Sequence, residues 1–191
     1  MAGRNGEDDR NQARALIRTS FLLRHVDCGS CNACESELGL MFGPDYDAER
    51  AGIAMAASPR HADGIIVTGP GTVAMRAYLE RTRDAVTDPS FVVALGDCAV
   101  TGGVHAGGYA VDPEGSAARF SPDLGIPGCP PTPAEILAAL KGFMQGDSVT
   151  TLPGRSAPVF LRQDRRPEGV SDRKDGLRAV GHSSRDPQRG A

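Results

Sequence analysis

Three of the five cysteines in this chain lie within one short run, DCGSCNACE, and the other two stand alone much further along the sequence. Thiolates are ligands for soft metal centres, so these residue types predict a metal ion or an iron–sulfur cluster. An odd cysteine count, in a chain whose polar start lacks the apolar stretch of a secretory signal, argues against disulfides and favours a cytoplasmic location. The cysteines are Cys28, Cys31, Cys34, Cys98 and Cys129.

Short apolar runs that end at glycine-containing turns predict the strands that position these cysteines. Residues 21–26 form one such run, while Gly64–Thr68 and Phe91–Leu95 are apolar on both faces, as buried parallel strands are. Between the last two runs, apolar residues at helical spacing over 75–86 predict a crossover helix. A second helix is predicted to begin after Thr132, because Pro follows it and Glu stands three positions on.

The alternation of strand, crossover helix and strand predicts an α/β fold, a flavodoxin-like parallel sheet with helices on both faces. Ligands bind beyond the carboxyl ends of the strands in such sheets. The DCGSCNACE run follows the first strand, Cys98 follows Leu95, and Cys129 lies in the loop GIPGCPPTP before a helix. We therefore expect a thiolate site at the carboxyl edge of the sheet.

A four-sulfur shell suits either zinc or an iron–sulfur cluster. Structural zinc sites usually pair two Cys-x-x-Cys turns, whereas here the second pair is split between glycine-rich loops, which favours a cluster. Backbone N–H groups can approach the sulfurs at the neighbouring glycines, which are Gly96, Gly102, Gly103 and Gly128. Three alternatives stay open: inert buried thiols, a thioredoxin-like dithiol at Cys31 and Cys34, and a zinc-stabilised interaction module without redox function.

Four segments in series carry a resemblance to known proteins over residues 21 to 144: HVDCGSCNACESE, ASPRHADGIIVTG, GDCAVTGG and GIPGCPPTPAEIL. They resemble the iron–sulfur small subunit of membrane-bound group 4 [NiFe] hydrogenases, notably that of formate hydrogenlyase. They are also similar to the 20 kDa subunit of NADH–quinone oxidoreductase, respiratory complex I. The resemblance implies one [4Fe–4S] cluster and no catalytic residue in this chain. The ligands it implies are Cys31, Cys34, Cys98 and Cys129.

The spacing of the first cysteine pair distinguishes the two groups within this resemblance. Complex I subunits carry adjacent cysteines, whereas hydrogenase-type subunits carry Cys-x-x-Cys, as Cys31 and Cys34 do here. One departure is Ala33, which stands where hydrogenase-type subunits usually have Gly. Cys28 begins a run similar to that of bacterial ferredoxins, but Leu38 stands where the fourth ferredoxin cysteine would fall. The resemblance therefore leaves Cys28 as a neighbour of the cluster rather than a ligand.

The function implied is electron transfer to or from the NiFe active site of a large hydrogenase subunit, in H2 evolution or oxidation. The alternative is a complex I-like subunit that passes electrons to quinone. The partners implied are the large NiFe subunit or a complex I 49 kDa-like subunit, a ferredoxin-like iron–sulfur subunit, and membrane subunits. The location implied is cytoplasmic and peripheral, on the inner face of the cytoplasmic membrane through these partners.

Four further side chains invite a role near the cluster or at an interface. Glu35 and Glu37 are candidates for proton relay, with a solvated or interface carboxylate as the alternative. His61, beside Arg60, is expected at a subunit interface or at a helix end. His105, close to Cys98 in sequence, is a candidate hydrogen-bond donor to the cluster or else an ordinary loop histidine.

Charge and motif content exclude two classes of function. A formal net charge of −3 is too close to neutral for a chain-wide phosphate-binding surface, so nucleic acid is not an expected partner. Neither G-x-G-x-x-G nor G-x-x-x-x-G-K-[ST] occurs, so NADH and flavin are expected on other chains. The predicted organisation is a flexible arm over 1–20, an iron–sulfur α/β domain over 21–145 and a largely disordered extension over 146–191.

Overall fold

A five-stranded, fully parallel sheet lies at the centre of the molecule. The structure, a computed structural model, describes residues 19–112, 115–117, 120, 122–146, 149–151 and 158–160. The strands lie in the order β2-β1-β3-β4-β5, which is the flavodoxin-like order. Their bounds are β1 Phe21–Asp27, β2 Ile53–Met55, β3 Gly64–Thr68, β4 Phe91–Leu95 and β5 Leu124–Ile126.

Within the described residues, four α-helices connect and follow these strands: α1 Ala33–Met41, α2 Arg76–Ala85, α3 Asp97–Thr101 and α4 Pro133–Gln145. Single 3-10 turns occur at Pro59–His61 and Gly103–His105. Two further strands, β6 Val149–Thr151 and β7 Pro158–Phe160, form an antiparallel pair within the segment predicted as the extension. The rest of that segment, and almost all of the predicted arm 1–20, lie outside the described residues.

Both faces of the sheet are covered, as the sequence predicts. Consecutive residues of a strand point to opposite faces, so a strand buried on both sides is apolar throughout, and β3 and β4 are buried at every position. Ile66 packs with the apolar faces of α1 and α4 in one core cluster. Its neighbours Ile65 and Val67 pack with Leu79 of α2 in the other. The flavodoxin-like fold class is confirmed.

At the amino ends of two strands, an aspartate makes hydrogen bonds to the backbone of the neighbouring strand. The Asp63 carboxylate accepts a hydrogen bond of 2.7 Å from the Leu22 N–H, and the Asp63 N–H donates to the Leu22 carbonyl at 2.8 Å. Asp123 makes the same reciprocal pair with Val92, with both bonds 2.8 Å long. These bonds fix the relative register of β1 with β3 and of β4 with β5.

The predicted elements with clear periodicity are found close to their expected bounds. Strands β3 and β4 match residue for residue, β1 extends one residue further, and α2 occupies 76–85 within the predicted 75–86. Helices α1 and α3 and strands β2 and β5 were not predicted. The two missed strands have three residues each, which is too short for a periodic pattern. Cys98 therefore lies in the first turn of a short helix rather than in an open loop.

Helix α4 begins with the capping box that its sequence predicts. The Thr132 hydroxyl accepts a hydrogen bond from the Glu135 N–H, and the Glu135 carboxylate accepts one from the Thr132 N–H at 2.8 Å. Two N–H groups that the first helical turn leaves unpaired are thereby satisfied. The capping residue lies three residues after Cys129, so the cap fixes where α4 starts relative to that cysteine.

We expect Thr132→Ala to lower the free energy of unfolding by about 1 kcal/mol, because the first turn of α4 loses its side-chain acceptor. Urea denaturation of the full chain under anaerobic conditions measures the change. Thr82→Ala is the matched control. The Thr82 hydroxyl only bonds to the Tyr78 carbonyl inside α2, so its removal should be neutral or slightly stabilising. Equal losses in both variants would contradict a specific capping role for Thr132.

Candidate metal centre

Cys31 and Cys34 are positioned by a tight turn between β1 and α1. The Asp27 carboxylate accepts hydrogen bonds from the Gly29 N–H at 2.9 Å and the Ser30 N–H at 2.8 Å, which folds the chain back after the strand. Asn32 takes the left-handed conformation at the start of α1, with φ 68°. Cys31 is consequently exposed, and Cys34 is half-buried in the first turn of α1.

This turn must carry the first cysteine pair across the end of β3, because β1 and β4 are not neighbours. Two strand spacings, or about 10 Å, separate their ends. Gly69 follows β3 directly, and a Cβ there would lie 2.8 Å from the Ser30 nitrogen and 3.0 Å from the Cys28 carbonyl carbon. The turn can lie this close to the end of β3 only because residue 69 has no side chain.

Gly96 provides the corresponding space at the end of β4. A Cβ at this position would lie 2.5 Å from the Cys34 sulfur, and its φ of +86° also favours glycine. Cys34 thus packs directly on the backbone that leads into Cys98. On the other side of Cys98, a Cβ at Gly103 would lie 3.2 Å from the Cys98 sulfur. Glycine backbone therefore lies against the thiols of Cys34 and Cys98.

The loop that carries Cys129 is bonded to the residue before Cys98. The Asp97 N–H donates to the Gly128 carbonyl at 2.8 Å, and the Gly128 N–H donates to the Asp97 carboxylate at 2.7 Å. These two bonds continue the β4–β5 pairing beyond the strands, whose last bond runs from the Gly96 N–H to the Ile126 carbonyl. Cys98 and Cys129 are therefore held at a fixed separation, and Cys129 is exposed.

Four thiols interact electrostatically with one another: those of Cys31, Cys34, Cys98 and Cys129. Burial raises the pKa of Cys34 to about 12, with further contributions from Glu35 and the other three cysteines. Burial also raises the pKa of Cys98, followed by contributions from Cys129, Cys31, Asp97 and Glu35. The structure thus brings together the four cysteines that the resemblance selects.

Cys28 has a different environment from these four. Its side chain is fully buried in the apolar cluster beneath α2, with Val26 and Val67 among the members. Burial raises the pKa of its thiol to about 12, and the charged groups that add to this shift are Asp27 and Asp112. The thiol of Cys28 is therefore a component of the core rather than a member of the four-thiol group.

The arrangement can be tested against the two kinds of metal centre. A single tetrahedral zinc, with Zn–S bonds of about 2.3 Å, needs sulfurs about 3.8 Å apart. Within the residues that the structure describes, no three His, Cys, Asp or Glu side chains are grouped to hold one metal ion. A four-iron cubane takes one thiolate on each iron, so its sulfurs lie further apart. Four thiols are the donor set that such a cluster uses.

Glu35 is not the solvated carboxylate that was one of its two sequence-based alternatives. Its side chain is only 14% exposed, and the Thr68 hydroxyl at the end of β3 donates a hydrogen bond to it. His25 on β1 lies 2.9 Å from the same hydroxyl and 3.7 Å from the carboxylate. Burial holds the pKa of His25 below its usual 6.5, although Glu35 and Asp27 oppose this shift. Sequence reasoning missed His25 and Thr68, which give no local signal.

The remaining candidates are found at the surface. Glu37 is partly exposed on α1. His61 is exposed in the turn before β3, at the amino end of the sheet and thus opposite the cysteines. The Ser58 hydroxyl caps this turn by accepting from the Arg60 N–H. His105 is exposed in the turn that follows α3.

Comparison with known proteins identifies the class. Residues 31–143 match the family model described as NADH ubiquinone oxidoreductase, 20 Kd subunit. The chain belongs to this family of oxidoreductase subunits.

Individual relatives have different names within this class. The chain is 43% identical to formate hydrogenlyase subunit 7 of Escherichia coli K12 over 128 residues, which are 66% of this chain and 48% of that protein. It is 38% identical to the "Probable membrane-bound hydrogenase subunit mbhJ" of Pyrococcus furiosus over 141 residues, 70% of this chain and 82% of that one. It thus spans about half of the first relative and four fifths of the second.

A solved structure gives a third comparison. A chain of the membrane-bound sulfane sulfur reductase, an archaeal respiratory membrane complex, is similar with a TM-score of 0.59 and 26% identity. The similarity covers 69% of this chain and 72% of that one. Two of the three relatives are thus named as parts of membrane-bound systems. In the described part of the present chain, none of the helices has the length and apolar composition that a membrane crossing needs.

We expect Gly96→Ala to reduce the iron and sulfide that the chain binds, because the new Cβ displaces the Cys34 sulfur from its position. Iron and acid-labile sulfide are measured after anaerobic reconstitution. Gly39→Ala is the matched control, since a Cβ at this position on α1 would have no atom within 4 Å. This substitution also replaces a flexible glycine in a helix with a better helix former. Equal iron contents in the two variants would show that the contact between Gly96 and Cys34 is not required.

Proposed function

We propose that this chain is an electron-transfer subunit that holds one [4Fe–4S] cluster on Cys31, Cys34, Cys98 and Cys129. It relays single electrons between the NiFe active site of a large hydrogenase subunit and a further iron–sulfur protein. The observation that carries the proposal is the four-thiol group at the carboxyl edge of the sheet, in a chain of the 20 kDa subunit family. When bound, the cluster supplies a centre that accepts and releases one electron.

The residues of this chain hold the cluster at the carboxyl edge of the sheet. Gly96 and Gly103 leave room for sulfurs against the backbone, and Asp97 holds the start of α3, which carries Cys98, against the loop that carries Cys129. The donor set supports iron, because thiolates are its usual ligands in such clusters. Cys28 stays in the apolar core and binds no iron in this proposal.

Two observations support partner subunits at this end of the sheet. Cys31 and Cys129 are exposed, so a cluster on this chain by itself would be open to solvent. Large apolar side chains are also exposed on loops at the same end: Val104, 84% exposed, in the turn after α3, and Val73 and Tyr109 on two loops bonded to each other. Exposed apolar groups next to a site mark protein contacts. The partners proposed are the large subunit, a ferredoxin-like iron–sulfur subunit and membrane subunits.

The hydrogenase assignment is supported by the Cys-x-x-Cys spacing of Cys31 and Cys34 and by relatives named as hydrogenlyase and hydrogenase subunits. The family name itself favours a second candidate, a complex I-like subunit that passes electrons to quinone. In either case we propose attachment to the inner face of the cytoplasmic membrane through partners, with 21–145 as the iron–sulfur domain. Nothing in the described contacts assigns a role to 1–20 or 146–191.

The anaerobically purified full chain should contain about four irons and four sulfides per molecule, as expected for a four-thiolate cubane. Each of the ligand variants Cys31→Ser, Cys34→Ser, Cys98→Ser and Cys129→Ser should lose iron or change the spectrum of the cluster. Cys28→Ser is the matched control and should retain the cluster. Stoichiometric zinc without sulfide would support the zinc module instead, and cluster loss in Cys28→Ser alone would overturn the ligand assignment.

The reaction is decided by the large subunit of the intact complex. If the hydrogenase assignment holds, that subunit carries two Cys-x-x-Cys pairs, because nickel and iron are held there by soft thiolates. The complex should evolve H2 from a low-potential donor, and the rate should collapse in Cys98→Ser while the large subunit keeps its nickel. A complex that lacks these pairs, evolves no H2 and reduces quinone would establish the second candidate.

A further inference from the structure

Asp97 connects the segments that carry Cys98 and Cys129 through two hydrogen bonds to the backbone of Gly128. It precedes Cys98, and its carboxylate accepts a hydrogen bond from the N–H of Gly128, which precedes Cys129. Its own N–H donates to the Gly128 carbonyl, so the two residues form a closed reciprocal pair. Gly128 is buried, so its N–H would have no solvent to replace the carboxylate.

The same pair of strands carries an equivalent pair at its other end. Asp123 and Val92 make two bonds of 2.8 Å at the amino ends of β5 and β4. That pair lies across the length of the sheet from the cysteines, where it fixes the register of β4 with β5. The strands β4 and β5 therefore carry this bonding pattern at both ends, and of the two aspartates Asp97 is the one next to the thiols.

Asp97 acts on the site through its negative charge as well as through its hydrogen bond. Asp97 directly precedes Cys98, and its carboxylate is 2.7 Å from the nitrogen of Gly128, which directly precedes Cys129, so the carboxylate lies beside two of the proposed ligands. A negative charge beside a redox centre disfavours the arrival of an electron there, because like charges repel. The carboxylate of Asp97 should therefore lower the reduction potential.

We propose that Asp97 is a positioning residue with two separable effects on the cluster. Its hydrogen bond to Gly128 sets the separation of Cys98 and Cys129, and its negative charge lowers the reduction potential. This inference rests on the proposed function, because it concerns a cluster bound by these cysteines.

Two substitutions separate the hydrogen bond from the charge. Asp97→Asn keeps an oxygen that accepts from the Gly128 N–H but removes the charge. Asp97→Ala removes both and leaves the buried Gly128 N–H without its acceptor. Asp123→Asn is the control, since it makes the same change in the equivalent pair at the far end of β4 and β5.

The experiment uses the full chain with its reconstituted cluster, titrated with dithionite as the reductant and followed by electron paramagnetic resonance. In Asp97→Asn we expect the same iron content as in the wild type. At a fixed applied potential, the ratio of reduced to oxidised cluster should rise about tenfold, which corresponds to a reduction potential about 59 mV higher. In Asp97→Ala we expect iron to be lost to a ferrous chelator about tenfold faster. Asp123→Asn should change neither quantity.

Each part of the inference has a result that overturns it. An unchanged or lowered potential in Asp97→Asn rejects the effect of the charge, and unchanged iron release in Asp97→Ala rejects the positioning effect. Equal shifts of the potential in Asp97→Asn and Asp123→Asn would reveal a general effect on the sheet and also reject the effect of the charge. If the wild-type chain binds no iron and sulfide at all, the proposed function itself has failed, which the Asp97 variants alone could not show.

Discussion

The four thiols at the carboxyl edge of the sheet are held together by backbone, against their own electrostatics. Burial, followed by Glu35 and the other three cysteines, raises the pKa of Cys34 to about 12, and Cys129 and Cys31 add to the raised pKa of Cys98. Nothing in the side chains themselves draws Cys31, Cys34, Cys98 and Cys129 towards one another. Iron supplies the positive charge that compensates such a group, and binding it must displace the protons. The polypeptide must therefore enforce the arrangement in advance.

The strand order makes this difficult, and glycine makes it feasible. Because β3 lies between β1 and β4, the turn that carries Cys34 has to cross the end of a strand that carries no cysteine. A Cβ at Gly69 would lie 3 Å or less from the backbone of the crossing turn, and a Cβ at Gly96 would lie 2.5 Å from the Cys34 sulfur. These glycines are thus not generic loop residues. They set the distance between the turn after β1 and the helix that starts with Asp97.

The sequence alone predicts the parts of this arrangement that depend on local patterns. The apolar runs of β3 and β4, the periodicity of α2 and the capping box of α4 are all contained in a few consecutive residues, and the clustering of cysteines at strand ends follows from the fold class. Contacts between distant residues could not be predicted. Asp97 meets Gly128 across 31 positions, and Glu35 meets Thr68 across 33, so their burial and bonding depend on the strand order. The three-residue strands β2 and β5 likewise exist only because a longer neighbour pairs with them.

Two carboxylates next to cysteines show how this chain combines assembly with charge. Glu35 follows Cys34 and ties α1 to the end of β3 through Thr68, while Asp97 precedes Cys98 and ties α3 to the loop after β5 through Gly128. Both raise the pKa of a neighbouring thiol, so both oppose the ionisation that iron binding needs. A neutral acceptor could make either bond without this cost. The bonds that assemble the site therefore also add negative charge to it, and the two effects can be separated only by substitutions that keep one and remove the other.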